Sequence, residues 1–358
     1  MKRIWFFMIC GMLALCTAGS RDTVSSLDRA MVHAVGIDSC GEGVRVTLQI
    51  FRPEGAGSDT QLDPAKDNIF VISAEAPTVG EAMTECSGRI GEMLFIGHVQ
   101  LVVIGSGIRL DDPGRLFAYF VKSKESYLRA DIARAENAEE LLSAELSEGV
   151  VAAQSLVGII ARHEESSDTA RCELLTALGA SGNTLVMPRL SLTGGEEKTV
   201  SAAGAEVYVY GRSAFSLSKE ECRGLARFRR KETELTLTAE SKGGSAAVTL
   251  EDCSRRVSLT ESGGRLSCRF ETGVLINNDQ SIELLFDRGA LIRSCGERID
   301  RDTARIIALC YEKKADLIGL GELVRCRYPG VWLRCGGDFP SILALTDISC
   351  ETKVSFYG

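Results

Sequence analysis

Apolar and polar residues alternate without a break over residues 44–50. Val44, Val46, Leu48 and Ile50 fall on one side, and Arg45, Thr47 and Gln49 on the other. A period of two marks a half-buried strand. The apolar residues 31–37 form a second strand, and residues 38–43 (Asp-Ser-Cys-Gly-Glu-Gly) between them carry turn chemistry. Residues 53–67 read as a polar loop. Residues 78–94 read as a helix, with Ala82, Cys86, Ile90 and Met93 near one face. The run 99–104 is apolar at nearly every position and of strand length, which predicts a strand covered on both sides. A helix and a strand follow within 111–135, then helices at 139–146 and 150–162. Gly194-Gly195-Glu196-Glu197-Lys198 reads as a domain boundary, with more β pattern beyond it.

In the second half, Val207 and Val209 open a strand. Residues 217–228 predict a helix, with Ser218 as N-cap and Glu221 three positions on, a capping box. Alternation then returns in short runs at 235–239, 248–250, 257–259, 266–270 and 282–284, separated by turns such as Ser262-Gly263-Gly264 and Asn277-Asn278-Asp279. This predicts a meandering antiparallel sheet. Thr303, Ile306, Ile307 and Cys310 have helical spacing, with Asp300 and Asp302 near the expected start and Lys313 and Lys314 near the end, as the helix dipole favours. Ile348, Cys350, Val354 and Phe356 close the chain as a strand. The class is α+β, with two or three mixed domains, each a largely antiparallel sheet with packed helices.

Composition narrows the function. Of 358 residues, 45% are hydrophobic and 25% charged, which specifies a folded body. A net charge of −8 argues against a nucleic-acid binder. Lys2 and Arg3 precede an apolar run over 4–18 that has the layout of a signal peptide and is short for a spanning helix. It ends in Leu13-Ala14-Leu15-Cys16, which makes Cys16 the candidate lipidation site. The expected organisation is therefore 1–20 signal peptide and anchor, 21–192 N-terminal domain, and 200–358 C-terminal domain with an antiparallel sheet and a long helix.

Site chemistry is sparse. The 13 cysteines contain no C-x-x-C pair, and the histidines are His33, His98 and His163 alone. Closely paired ligands are absent, so no metal is expected. Most body cysteines, Cys268 and Cys350 among them, read as small buried hydrophobes. There is no phosphate-binding loop, no G-x-S-x-G elbow and no H-E-x-x-H. Gly105-Ser106-Gly107 follows an apolar strand, but Leu110 stands where a dinucleotide loop has its third glycine, so it reads as a turn. Glu139-Glu140 and Glu164-Glu165 read as solvated helix faces. No catalytic residue and no cofactor is assigned.

Four ordered blocks resemble the C subunit of spore germinant receptors, the Ger(x)C lipoprotein family. Ala34-Val35-Gly36-Ile37-Asp38 is similar to its opening strand. Residues 94–104, with Gly97-His98 ahead of the apolar run, are similar to its Gly-His strand. Gly204-Ala205-Glu206-Val207-Tyr208-Val209 and the helix after it are similar to its Gly-Ala-Val-Phe strand, turn and helix. The most specific block is Ala315-Asp316-Leu317-Ile318-Gly319-Leu320-Gly321-Glu322, followed by Tyr328-Pro329, Trp332 and Phe339-Pro340. Here Gly319 and Gly321 are read as ending the long helix, with Tyr328, Trp332 and Phe339 packed on the C-terminal sheet. The chain departs from the family at Ser20-Arg21-Asp22, where the family has a lipidated Cys before Trp-Asp, and Cys16 is the nearby substitute. The resemblance implies a non-catalytic subunit on the outer face of the inner spore membrane. It would be anchored by its N-terminus and partnered by receptor A and B subunits. The alternatives are an exported solute-binding lipoprotein, with a ligand cleft between two lobes, and an exported hydrolase.

Overall fold

The computed structural model describes residues 29–51, 69–123, 126–146, 149–179, 184–195, 198–229, 234–241, 244–277 and 287–356. Cys16, the 53–67 loop and the expected 282–284 strand lie outside them. Strands β1 (Arg29–Cys40) and β2 (Gly43–Phe51) form the expected hairpin, with Gly41 at φ 54° in its turn. Strand β3 (Ile69–Ala76) pairs antiparallel with β2. Helix α1 (Val79–Ile90) is capped by the Thr78 hydroxyl, which accepts from the Glu81 N–H, and it buries Val79, Ala82, Met83 and Cys86.

Strands β4 (Met93–Phe95), β5 (Leu101–Ile104) and β6 (Asp131–Arg134) lie parallel to their neighbours at the centre of the sheet. Every residue of β5 is buried, as expected for a strand covered on both faces. Short helices α2 (Pro113–Leu116) and α3 (Ala118–Lys122) connect β5 to β6. Beyond β6 come α4 (Ala138–Leu142), the small ribbon β7 (Glu145–Leu146) and β8 (Gly149–Val150), α5 (Ala153–Glu165) and α6 (Leu174–Gly179). The helix expected over 139–146 is thus shorter, because the chain turns into the ribbon.

Strands β9 (Thr184–Thr193), β10 (Thr199–Val209) and β11 (Arg212–Leu217) complete a nine-stranded sheet of order β11-β10-β9-β6-β5-β1-β2-β3, with β4 beside β1. One face packs Val35, Ile37, Leu48 and Ile50 against α1, Phe117 and Phe120; the other packs Ala34, Leu101 and Val103 against α4 and α5. Strands β9 and β10 pair from Thr184↔Val209 to Thr193↔Thr199. The strands on either side of the expected boundary at 194–198 are therefore antiparallel neighbours in one sheet.

Helix α7 (Lys219–Arg229) begins with the expected capping box: Glu221 N–H donates to Ser218 Oγ at 3.2 Å, and Ser218 N–H to Glu221 Oε2 at 3.0 Å. A four-stranded sheet follows, β12 (Glu234–Ser241), β13 (Gly244–Ser262), β14 (Arg265–Asn277) and β15 (Thr346–Phe356), in that spatial order. The runs at 248–250 and 257–259 belong to one strand, β13, which crosses the polar residues between them through a bulge at Asp252–Ser254. The first three strands are antiparallel, whereas β15 runs parallel to β14. Between β14 and β15 lie α8 (Arg288–Lys313), α9 (Leu320–Arg327), α10 (Pro329–Arg334) and α11 (Phe339–Ala344). Asp287, not Asp300 or Asp302, caps the long helix; its carboxylate accepts from Ala290 N–H at 2.9 Å.

The second core joins α7, β14, the C-terminal half of α8 and α9–α11, and it reaches Val186, Ala205, Val207 and Leu217 on the larger sheet. Among the described residues no helix is long and apolar enough to cross a membrane.

Candidate functional site

The block at 315–322 sits where the two halves meet. The long helix ends at Lys314, in the left-handed region at φ 52°, ahead of the glycines read as its end. Gly319, at φ 75°, instead starts α9. Gly321 lies inside α9, where a Cβ would stand 2.9 Å from Asp316 Oδ2 and 3.4 Å from the Trp332 ring. The two glycines are needed for different reasons, one for backbone conformation and one for room. Asp316 links these parts. Its carboxylate accepts from Leu320 N–H and Gly321 N–H, both at 2.8 Å, and its own N–H donates to Thr184 Oγ1 on β9 at 2.7 Å. Burial pushes its carboxyl above the usual carboxylate range, against the pull of those N–H donors.

Beside Asp316 opens a cleft of about 580 Å³. Its walls come from the turn before α6, the start of β9, the end of α7, β13 and α9–α11, with Trp332 and Phe339 among the apolar lining residues. Four arginines line it: Arg171, Arg229, Arg255 and Arg325. Arg171 Nε donates to the buried Asp131 at 2.7 Å. Arg325 grips Glu322 through Nη2 at 2.6 Å and Nε at 2.8 Å. Arg229 Nε donates to Leu317 O at 3.0 Å. By accessible area Arg229 counts as exposed, yet protein surrounds its guanidinium closely enough for desolvation to lower its pKa. Both follow from a recess that is deep but open to solvent.

In the N-terminal sheet Asp38 plays the matching part. Ala138 N–H and Glu139 N–H donate to its two carboxylate oxygens at 2.9 Å each, so it caps α4. The Gly105-Ser106-Gly107 turn lies against it, and a Cβ on Gly105 would fall 1.9 Å from Asp38 Oδ1 and 3.2 Å from Asp38 Cα. Gly105 is required because Asp38 occupies the space, and Gly107 because Ser39 does.

Residues 22–192 match the family model described as the spore germination protein N-terminal domain. A solved structure, "Crystal Structure of the GerBC protein", is similar over 90% of this chain and 97% of its own, with a TM-score of 0.55 and 13% identity. Residues 22–192 are a domain of this spore germination protein family, in agreement with the Ger(x)C resemblance of the sequence blocks. No curated protein matches. The family match ends at residue 192, one residue before the end of β9, while the sheet itself continues to Leu217.

The other residues singled out from the sequence are dispersed. His33 stacks on Phe51 with ring centroids 5.3 Å apart, and His98 stands edge-on to it at 6.5 Å. Burial, and secondarily the charge of His98, hold the His33 imidazole below its ordinary pKa. His163 is remote from both in sequence and faces Asp168 Oδ2 at 3.6 Å, a carboxylate that also takes Arg223 Nη2 at 2.7 Å. Glu139 is paired with Arg45 at 2.6 Å, and Glu165 is exposed. Burial pushes the thiols of Cys172, Cys222 and Cys310 up to about 12, which leaves them protonated and inert at neutral pH. Among the described residues no cluster of three metal-ligating side chains occurs.

The arginines of the cleft carried no signal in the sequence. They come from four separate stretches between residues 171 and 325, and only the folded chain gathers them.

Proposed function

We propose that this chain is the membrane-anchored C subunit of a spore germinant receptor. It is a non-catalytic assembly and signalling component, held to the outer face of the inner spore membrane and partnered by receptor A and B subunits. The observation that carries this reading is the family match over 22–192, supported by a fold likeness to GerBC that extends over 90% of the chain. The geometry agrees in one respect: the carboxylates of the family blocks, Asp38 and Asp316, cap helices. Both family blocks thereby have a folding role that needs no catalytic chemistry. Anchoring falls to the N-terminus, with Cys16 as the acylated residue. A single acyl chain binds membranes only marginally, so the anchor is a diacylglyceryl lipoprotein terminus or an uncleaved signal helix.

Co-purification from detergent-solubilised spore membranes with the co-encoded A and B subunits tests the assembly. Recovery of either partner with the wild-type chain is expected. A folded, anchored chain that neither co-purifies nor crosslinks with A or B would overturn it. Mass spectrometry of the mature N-terminus tests the anchor, and an unmodified terminus at or after Ser20 in a protein free of the membrane would exclude both routes.

A further inference from the structure

We propose that the cleft beside Asp316 binds a small organic anion, with the acid group held by Arg229 and Arg255 and the carbon part laid against Trp332 and Phe339. This goes beyond the receptor-subunit reading and stands or falls separately from it.

Charge is the first observation. The whole chain carries a net charge of −8, yet the cleft gathers four arginines against two carboxylates, Asp316 and Glu322. Those carboxylates are already engaged, Asp316 by the N–H groups of α9 and Glu322 by Arg325. Arg171 is likewise engaged by Asp131. Arg229 feels the charge of Asp316, whose carboxylate is turned to the α9 N–H groups, and forms no ion pair with it. Its Nε donates to Leu317 O, and its two terminal nitrogens donate to no other described residue. Arg255, from β13, adds a second positive charge to the same cleft. A guanidinium presents paired N–H donors in the plane that a carboxylate matches.

Shape is the second. The volume of about 580 Å³ lies within the range of small-molecule sites, and the position between two packed cores is a usual one for them. A stretch of nucleic acid or an acidic protein surface would need a broad basic face, and a net charge of −8 argues against one. The lining also includes Trp332, Phe339 and Phe228, so an inorganic ion alone would leave the aromatic wall unused.

The test is isothermal titration of the full-length chain in detergent with benzoate and with citrate, and with benzyl alcohol as the neutral counterpart of benzoate. Saturable binding of benzoate or citrate, with none of benzyl alcohol, is expected. Arg229→Gln should weaken that binding about tenfold or more, the worth of a hydrogen bond to a charged group. Arg255→Gln, which leaves the Leu317 contact in place, should weaken it too. Melting curves on both variants separate loss of binding from loss of fold. No saturable binding of either anion to the wild type, or equal binding to the wild type and two folded variants, would overturn the site.

Discussion

At the end of β1, Asp38 takes the N–H groups of Ala138 and Glu139; ahead of α9, Asp316 takes those of Leu320 and Gly321. Each carboxylate answers donors that the first turn of a helix cannot satisfy for itself. Their surroundings differ. Asp38 is half-buried, and the Gly105 turn closes over it. Asp316 is likewise half-buried, capping backbone groups of the buried Leu320 and Gly321, but the cleft opens beside it. The same motif thus makes a closed joint in one half of the molecule and one wall of a cavity in the other. A sequence block built around Asp and Gly does not reveal which of the two it will form.

The strongest way to break the comparison is to fill the glycine positions. Gly105→Val would drive a branched side chain into the Asp38 carboxylate and toward its Cα, and displace the cap as well, at a cost of about 3 kcal/mol or more. Gly321→Val meets Asp316 Oδ2 and the Trp332 ring and should cost about 1–3 kcal/mol. Gly319→Val has open space around its Cβ but must hold φ 75°, which costs a similar 1–3 kcal/mol through the backbone alone. Thermal melting of the three variants gives the order. A Gly105→Val protein as stable as wild type would show that the turn is not closed against Asp38.

Removing the carboxylates gives a smaller and sharper contrast. Asp38→Ala leaves the N–H groups of the buried Ala138 and the half-buried Glu139 without their acceptor beneath the closed turn, so about 1–3 kcal/mol is expected. Asp316→Ala leaves two N–H groups beside the open cleft, where water can replace the cap, so about 1 kcal/mol is expected. The Asp316 loss should shrink as pH rises. Its folded pKa is raised, so the wild type itself loses stability as pH climbs from the ordinary carboxylate value through the raised one. Equal costs for the two variants in denaturant titrations would mean that water reaches both caps alike.

What could be read from the sequence was whatever local chemistry decides. The 38–43 turn, the Ser218/Glu221 capping box, the Gly263-Gly264 turn and the last strand all stand where residue pattern put them. Long-range pairing decided the rest. Strand β13 runs through Asp252-Cys253-Ser254-Arg255-Arg256, which reads as a break, because β14 pairs with it on both sides of the bulge. The first half of α8 hid behind Gly289 and Gly296, although Leu291, Cys295 and Ile299 bury at helical spacing against β13 and β14. The parallel docking of β15 on β14 depends on the helices between them, and the cleft depends on residues more than 150 positions apart. No local window contains either.

The smallest predicted effect belongs to the N-terminal half alone, since His33, His98 and His163 all precede the second core in sequence. His33 is stacked on Phe51 and lies near His98, in a corner where Arg29 also sits over the Phe95 ring at 5.6 Å. Burial and the neighbouring positive charge lower its folded pKa below the ordinary value of about 6.5. As pH falls through that value, the unfolded chain takes up the proton first, so the unfolded state gains and stability declines. The decline continues down to the folded pKa and then stops. His33→Gln removes this contribution and should flatten the melting temperature between about pH 7.5 and 5 while leaving it near wild type at the upper end. Arg29 and the carboxylates outside this corner stay in place in the variant and serve as the background. An unchanged slope in His33→Gln would place the acid sensitivity of the N-terminal half on another group.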